Sequence, residues 1–228
     1  MWRRIKRGLA AIVLTVLITA VLLVVSLRWI DPPFSAFILR HNLQAALGSE
    51  ANPALYSWTG WSSLSKEYAA AVVAAEDQRF PDHYGIDFIE LWNAISGDDT
   101  APRGASTITQ QTAKNLFLWH GRSYTRKILE AAFAILMEAL LSKQRILEIY
   151  LNIAQTGPDM YGITAASQRY FGKPQAQLNR HEAASIAAIL PNPSHYSATH
   201  PSAYVQERQR WILGQVKQLG GTGYLHKL

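Results

Sequence analysis

From Leu9 to Leu27 the chain is apolar on every side, with Thr15, Thr19 and Ser26 its only polar side chains. Wound as a helix, that run rises about 28 Å, near the hydrocarbon thickness of a bilayer. It predicts a membrane-spanning helix over 9–29 behind a cytoplasmic tail at 1–8. A cleaved signal peptide usually has a shorter apolar region, and no A-x-A site precedes Arg28, so an uncleaved anchor is expected. Residues 30–65 carry Pro32, Pro33 and Pro53 around one apolar stretch, Phe34–Leu39, and read as a membrane-proximal connector with one short helix. From Lys66 onward, in a domain spanning 66–228, the apolar period becomes helical. Helices are predicted at Lys66–Ala75, Phe88–Ile95 and Ser106–Leu118. Ser123–Asn152 predicts one long helix or a pair, with Ser142-Lys-Gln-Arg as the break. His181–Leu190 is stopped by Pro191 and Pro193, and Ala203–Leu219 by Gly220-Gly221. No alternating strand pattern is visible, so the soluble part reads as one mainly α domain.

Charge adds an orientation. Arg3, Arg4, Lys6 and Arg7 precede the apolar span and Arg28 alone follows it closely, which puts the N-terminus in the cytoplasm and the domain outside. Trp2 and Trp29 suit the two interfaces. The net charge of +6 comes mostly from these five residues; without them seventeen Lys and Arg face sixteen Asp and Glu. A basic exterior of the kind that binds nucleic acid is therefore not expected. The chain has no cysteine, which excludes disulfides and thiolate metal sites.

Three segments carry candidate chemistry. In "AAEDQRF" the acids Glu76 and Asp77 follow an alanine-rich run directly, and an apolar surround makes either one costly to ionise. Glu76 could be a solvated helix end paired with Arg79. Phe80 and Tyr84 as an apolar wall, with His83 and Gly85 turning the chain back, instead suit a general base. In "RGASTITQQTAKNLF", Ser106, Thr107, Thr109, Gln110 and Gln111 follow Gly104 closely. Ser106 could cap a helix, yet a cap needs one hydroxyl, and the excess suits a sugar or phosphate. In "YTRKILEAAF", Arg126, Lys127 and Glu130 share one helix edge. They could be exposed ion pairs. From Arg103 to Arg145, however, seven basic residues face only Glu130 and Glu138, more than pairing needs. A concentrated positive site beside a membrane suits an anionic, lipid-linked ligand, and a carboxylate within it could hold a divalent cation bridging to phosphate.

Together these segments resemble the glycosyltransferase family of peptidoglycan polymerases, which includes the N-terminal halves of class A penicillin-binding proteins. The resemblance covers about residues 66–195. It runs from Glu76–Asp87 through Gly104–Gln111, with Lys114 and Asn115, and then Arg126–Glu130. Ile146–Asn152, then Tyr161–Lys173 with Glu182–Pro193, complete the five motifs in order. Where family members often have two glycines this chain has Gly104-Ala105. The resemblance implies a mainly α, lysozyme-like fold with a small apolar lobe touching the membrane, including Leu91, Trp92 and Ile95. It implies that lipid II is polymerised at the outer face of the bacterial inner membrane. Glu76 would be the general base on the acceptor's C4 hydroxyl. Lys114, Arg126 and Lys127 would hold the departing pyrophosphate, and Glu130 would be a second catalytic group binding Mg2+ or Mn2+. Ser106, Thr107 and Gln110 would position the donor, while Asp77, His83 and Glu148 would bind substrate or brace the cleft. Partners would be lipid II, the growing lipid-linked glycan, the membrane, and cell-wall synthesis or division proteins.

Two enzymatic alternatives and a non-catalytic one frame that expectation. Ser63-Leu-Ser-Lys66 fits the S-x-x-K of a transpeptidase, but no S-x-N or K-T-G follows. A lytic glycan-cleaving enzyme would share the catalytic Glu but has no pyrophosphate to neutralise. A scaffold in the cell-wall machinery would bind partners without turnover.

Overall fold

A computed structural model describes residues 2–48, 52–96, 106–121 and 123–228, without the side chains of 93–96. The chain is mainly helical. Helix α1 (Trp2–Ser26) projects with almost every side chain exposed and is long and apolar enough to cross a membrane. Helix α2 (Ala36–Ala46) follows, capped by the Ser35 hydroxyl, which accepts from Ile38 N.

The centre of the domain is built from α3 (Lys66–Glu76), α7 (Lys143–Ile153) and α9 (Arg180–Ile189). Residues 68–74, 146–153 and 183–189 are buried almost without a break. A helix apolar on all sides belongs inside the core. The alanines Ala69, Ala70, Ala71 and Ala74 of α3, with Ala183, Ala184, Ala187 and Ala188 of α9, keep side chains short where these two helices pack. Around them lie α5 (Ile108–Phe117), α6 (Tyr124–Leu140), α8 (Gly162–Phe171) and α10 (Ala203–Leu219), with α4 (Phe88–Ser96) at the rim.

The stretch 123–152 is two helices. Leu141 is extended and the Ser142 hydroxyl accepts from Arg145 N, so the break is a hydroxyl cap. The helix opening at residue 108 is capped by Thr107, not Ser106. Thr107 and Gln110 form a reciprocal capping box, each side chain accepting the other's backbone N–H. A short parallel pair, β1 (Leu55–Tyr56) with β2 (Met160–Tyr161), is too brief to leave an alternating signature.

The segment between α2 and α3 is tied to the domain. Trp61 N donates to Glu148 Oε1 at 2.7 Å, and the Asn152 amide exchanges hydrogen bonds with the Thr59 backbone. Arg145 joins anchor to domain. It donates to Leu27 O at 2.7 Å, Ile30 O at 3.1 Å, Asp31 at 2.8 Å and Glu148 at 2.8 Å, and lies over the Trp58 ring.

Candidate active site

Glu76 is the last residue of α3, where the helix dipole opposes a negative charge. Its carboxylate is nearly enclosed, with 14% of the side chain exposed. Gln111 of α5 donates to Oε2 at 3.1 Å, and Arg208 of α10 donates to Oε1 at 3.2 Å and to Ala75 O at 3.3 Å. Burial pushes the Glu76 carboxyl above its ordinary range; Gln111 and Arg208 pull it back, and the charge of Asp77 adds to the rise. The outcome is a carboxyl of raised basicity whose rise two donors restrain. Tyr150 fixes Gln111 from behind by donating to its Oε1 at 2.9 Å.

Arg208 escaped the sequence reading, although α10 carries a signal for it. It lies three residues after Val205 and four before Ile212, both buried, so a cation occupies the apolar face of an amphipathic helix. Arg79, the partner first considered for Glu76, pairs instead with Asp87 at 3.5 Å.

Asp77 and His83 are braces. Both oxygens of Asp77 lie 3.0 Å from His83 Nε2, and one also accepts from Ile108 N at 2.9 Å, at the start of α5. Both side chains are buried, and through Ile108 N they tie the end of α3 to the start of α5. Phe80 is wholly buried and Tyr84 exposed, so only the former contributes an apolar wall. Gly85 is needed for closeness. Its φ is +78°, an added Cβ would meet Ala134 O at 3.1 Å, and its carbonyl accepts from Thr107 Oγ1 at 2.6 Å.

Thr107 is thus spent on the cap and on Gly85. Gln110 keeps its amide nitrogen free of any protein acceptor among the described residues, while Ser106 Oγ accepts from Lys127 Nζ at 2.9 Å. Glu148 braces Trp61 and Arg145. Gly104 and Ala105, Arg103 and Arg122 lie outside the described residues.

The cationic cluster forms on the edges of α5 and α6. Glu130 is 2% exposed, with Oε2 accepting from Arg126 at 2.6 Å and Oε1 from Lys127 at 2.5 Å. Arg126 also donates to Gly121 O at 2.7 Å. The Arg126–Glu130 pair is buried, unlike the exposed pairs weighed from sequence, whereas Lys127 keeps 47% of its side chain exposed. The ammonium of Lys114 makes no hydrogen bond to a described residue; burial lowers its pKa, as do Arg126 and Lys127, against the pull of Glu130 and Glu76.

The metal expected at Glu130 does not fit these residues. Both carboxylate oxygens are taken by cations, and among the described residues no three acidic or histidine side chains gather to hold an ion.

A path of contacts joins the base to the cations. From Glu76 the contacts run through Gln111 to Ser106 O at 3.5 Å, then from Ser106 Oγ to Lys127 and Glu130. Phe88, Ile89 and Trp92 of α4 and Tyr124 and Ile128 of α6 are exposed. Leu91 and Trp92 of the expected apolar lobe are among the exposed residues, and the side chain of Ile95 is not described.

The family model described as "Transglycosylase" matches residues 44–217. A protein named biosynthetic peptidoglycan transglycosylase from Stutzerimonas stutzeri (strain A1501) is 44% identical, covering 100% of this chain and 95% of its own. Proteins of the same name from Salmonella agona (strain SL483) and Cronobacter sakazakii (strain ATCC BAA-894) are 48% and 47% identical. They cover 85% and 86% of this chain, and 81% and 83% of their own.

Proposed function

Because the chain belongs to the transglycosylase family, whose domain is lysozyme-like, and is a peptidoglycan glycosyltransferase, we propose that its cleft joins lipid-linked disaccharides as follows. Glu76 takes the proton of the C4 hydroxyl on an acceptor lipid II. The oxygen's electron pair forms the new bond to C1 of the donor, the lipid-linked end of the growing glycan. The bond from C1 to the pyrophosphate breaks, its electron pair leaves with undecaprenyl pyrophosphate, and the α configuration inverts to a β-1,4 link.

Each residue's part follows from its surroundings. Burial of Glu76 raises its basicity, and Gln111 and Arg208 restrain that rise so that the carboxylate form is accessible to the acceptor. Lys114, Arg126 and Lys127 take up the charge that grows on the leaving pyrophosphate, which is why Lys114 has no fixed partner. Glu130 holds Arg126 and Lys127 in place and lowers the cost of gathering three cations. Ser106 and the free amide nitrogen of Gln110 face donor sugar and phosphate. With α1 as anchor, the N-terminus lies in the cytoplasm and the cleft outside the inner membrane, open to lipid-borne substrates. Other cell-wall synthesis or division proteins would meet the chain there.

The observation that carries this reading is the contact path from a buried, two-donor carboxylate to a cluster of three cations. A glycan hydrolase has no use for the second half of that path. The test is polymerisation of labelled lipid II by the purified chain. Wild type should give lengthening glycans, and Glu76→Gln none, with lipid II binding retained. Polymer from the variant, or shortening of preformed glycan by wild type, would overturn the assignment.

A further inference from the structure

The cations do not end at Lys114. His120, in the loop joining α5 to α6, lies face to face with Phe37 of α2, ring centroids 3.6 Å apart and planes at 25°. Lys114 lies over the other partner of this stack, 5.9 Å from the Phe37 centroid. Arg40 is three residues beyond Phe37, so it shares that helix face, and its guanidinium has no acidic or carbonyl partner among the described residues. The His120 loop is itself pinned to the cleft by Arg126, through Gly121 O. The positive strip therefore runs from Lys127 and Arg126 past Lys114 to His120 and Arg40.

The far end of this strip lies on the helix that follows the apolar span. Only nine residues separate the last residue of α1 from the first of α2, and Arg145 clamps that turn to the domain. Helix α2 exposes Leu39, Leu43 and then Leu47 at its end, with Phe34 exposed just before its start. An amphipathic helix with an exposed apolar face, joined closely to a spanning helix, lies in the interface with its cations at headgroup height.

We propose that Arg40 and His120 form a second anion-binding position, which takes the phosphate of a membrane-borne lipid other than the leaving group held by Lys114, Arg126 and Lys127. The proposal rests on the reading above in one respect, that two lipid-linked diphosphates meet at each transfer and need separate cations. Physical fit supports it. Burial, Arg40 and Lys114 together depress the basicity of His120, so the imidazole stays neutral without a ligand and becomes a charged donor when an anion arrives. Arg40 supplies a planar donor fork suited to phosphate.

The first test needs no turnover. The full chain in uncharged detergent is titrated with inorganic pyrophosphate while NMR follows the His120 ring. Pyrophosphate should move the His120 titration midpoint upward in wild type and in E76Q, and much less in R40Q. Equal movement in R40Q and wild type, or none in either, would overturn the proposal. A failure of the polymerase reading would show separately, as absence of glycan from wild type.

The second test finds the source of the phosphate. If it belongs to substrate, R40Q and H120N should raise KM for lipid II in uncharged detergent by roughly tenfold, with kcat little changed, as loss of one charge-assisted contact would. If it belongs to a bilayer phospholipid, KM in detergent should be unchanged, and the variants should lose the stimulation wild type gains from phosphatidylglycerol vesicles. Variants that match wild type in both settings would refute the site. Both residues are exposed, and thermal melting checks that the variants fold.

Discussion

Arg208→Gln isolates a group that lowers the proton affinity of Glu76. The carboxylate has 14% of its side chain exposed and Arg208 22%, so their contact is only partly screened by water. Losing one charge-assisted hydrogen bond costs about 1.5–3 kcal/mol, or roughly ten- to a hundredfold in the equilibrium that keeps the base unprotonated. Without Arg208, burial, the α3 dipole and Asp77 act against Gln111 alone, and proton affinity rises further. The acid limb of log kcat/KM against pH should move to higher pH. Activity measured below the wild-type limb should fall by the ten- to hundredfold just given, and recover on the alkaline side to the extent that geometry is kept.

Stability should move the opposite way. A carboxyl whose folded pKa lies above its unfolded value binds protons more tightly in the folded state, so its ionisation weakens the fold. The destabilisation caused by Arg208→Gln should thus be full above the raised folded pKa and should shrink as pH falls towards the ordinary value of 4.5. Rate profiles with labelled lipid II and melting curves across the same pH range check both halves. An acid limb that coincides with wild type, or a rate loss equal at every pH, would refute the electrostatic role and leave Arg208 a packing residue.

Three further outcomes follow from buried charges. Chelation with EDTA should leave affinity for pyrophosphate within about twofold of its starting value, because Glu130 offers a metal no free oxygen, whereas Glu130→Gln should lower unfolding stability by about 3 kcal/mol by stranding Arg126. A tenfold chelation effect would put a metal back at the cluster. Asp77→Asn should cost about 2–3 kcal/mol in denaturant unfolding, with activity tracking the folded fraction, since both oxygens serve His83 and the start of α5; a raised KM at unchanged stability would return Asp77 to the substrate.

The elements legible in the sequence were those that carry their own boundary signals. Pro191 and Gly220 end α9 and α10 where expected, and Ser142 splits α6 from α7 through its hydroxyl. Cluster membership was legible too, because Arg126, Lys127 and Glu130 meet on one turn of one helix. What could not be read was which polar group is spent locally. Ser106 and Thr107 both look like caps, and only the extended backbone at Thr107 and the reply from Gln110 decide between them. Partners distant in sequence were equally hidden: Glu76 meets Arg208 only because α10 packs across α3, so a reading confined to neighbours offered Arg79.

The packing around α5 also bears on two opposed demands of the proposed reaction. A base must be poorly solvated to be strong, while a leaving pyrophosphate needs concentrated positive charge, and the two would neutralise each other in contact. Here α5 separates them. Gln111 faces Glu76, Lys114 one turn later faces the cations, and the neutral amide between them passes a hydrogen bond without passing a charge. Arg145 fixes the height of this arrangement by binding the backbone where the anchor ends. Three of its contacts, to Leu27, Ile30 and Asp31, tie the domain to the segment after α1, and Glu148 of the same helix holds the guanidinium in place for them, so the domain does not swing freely on that helix.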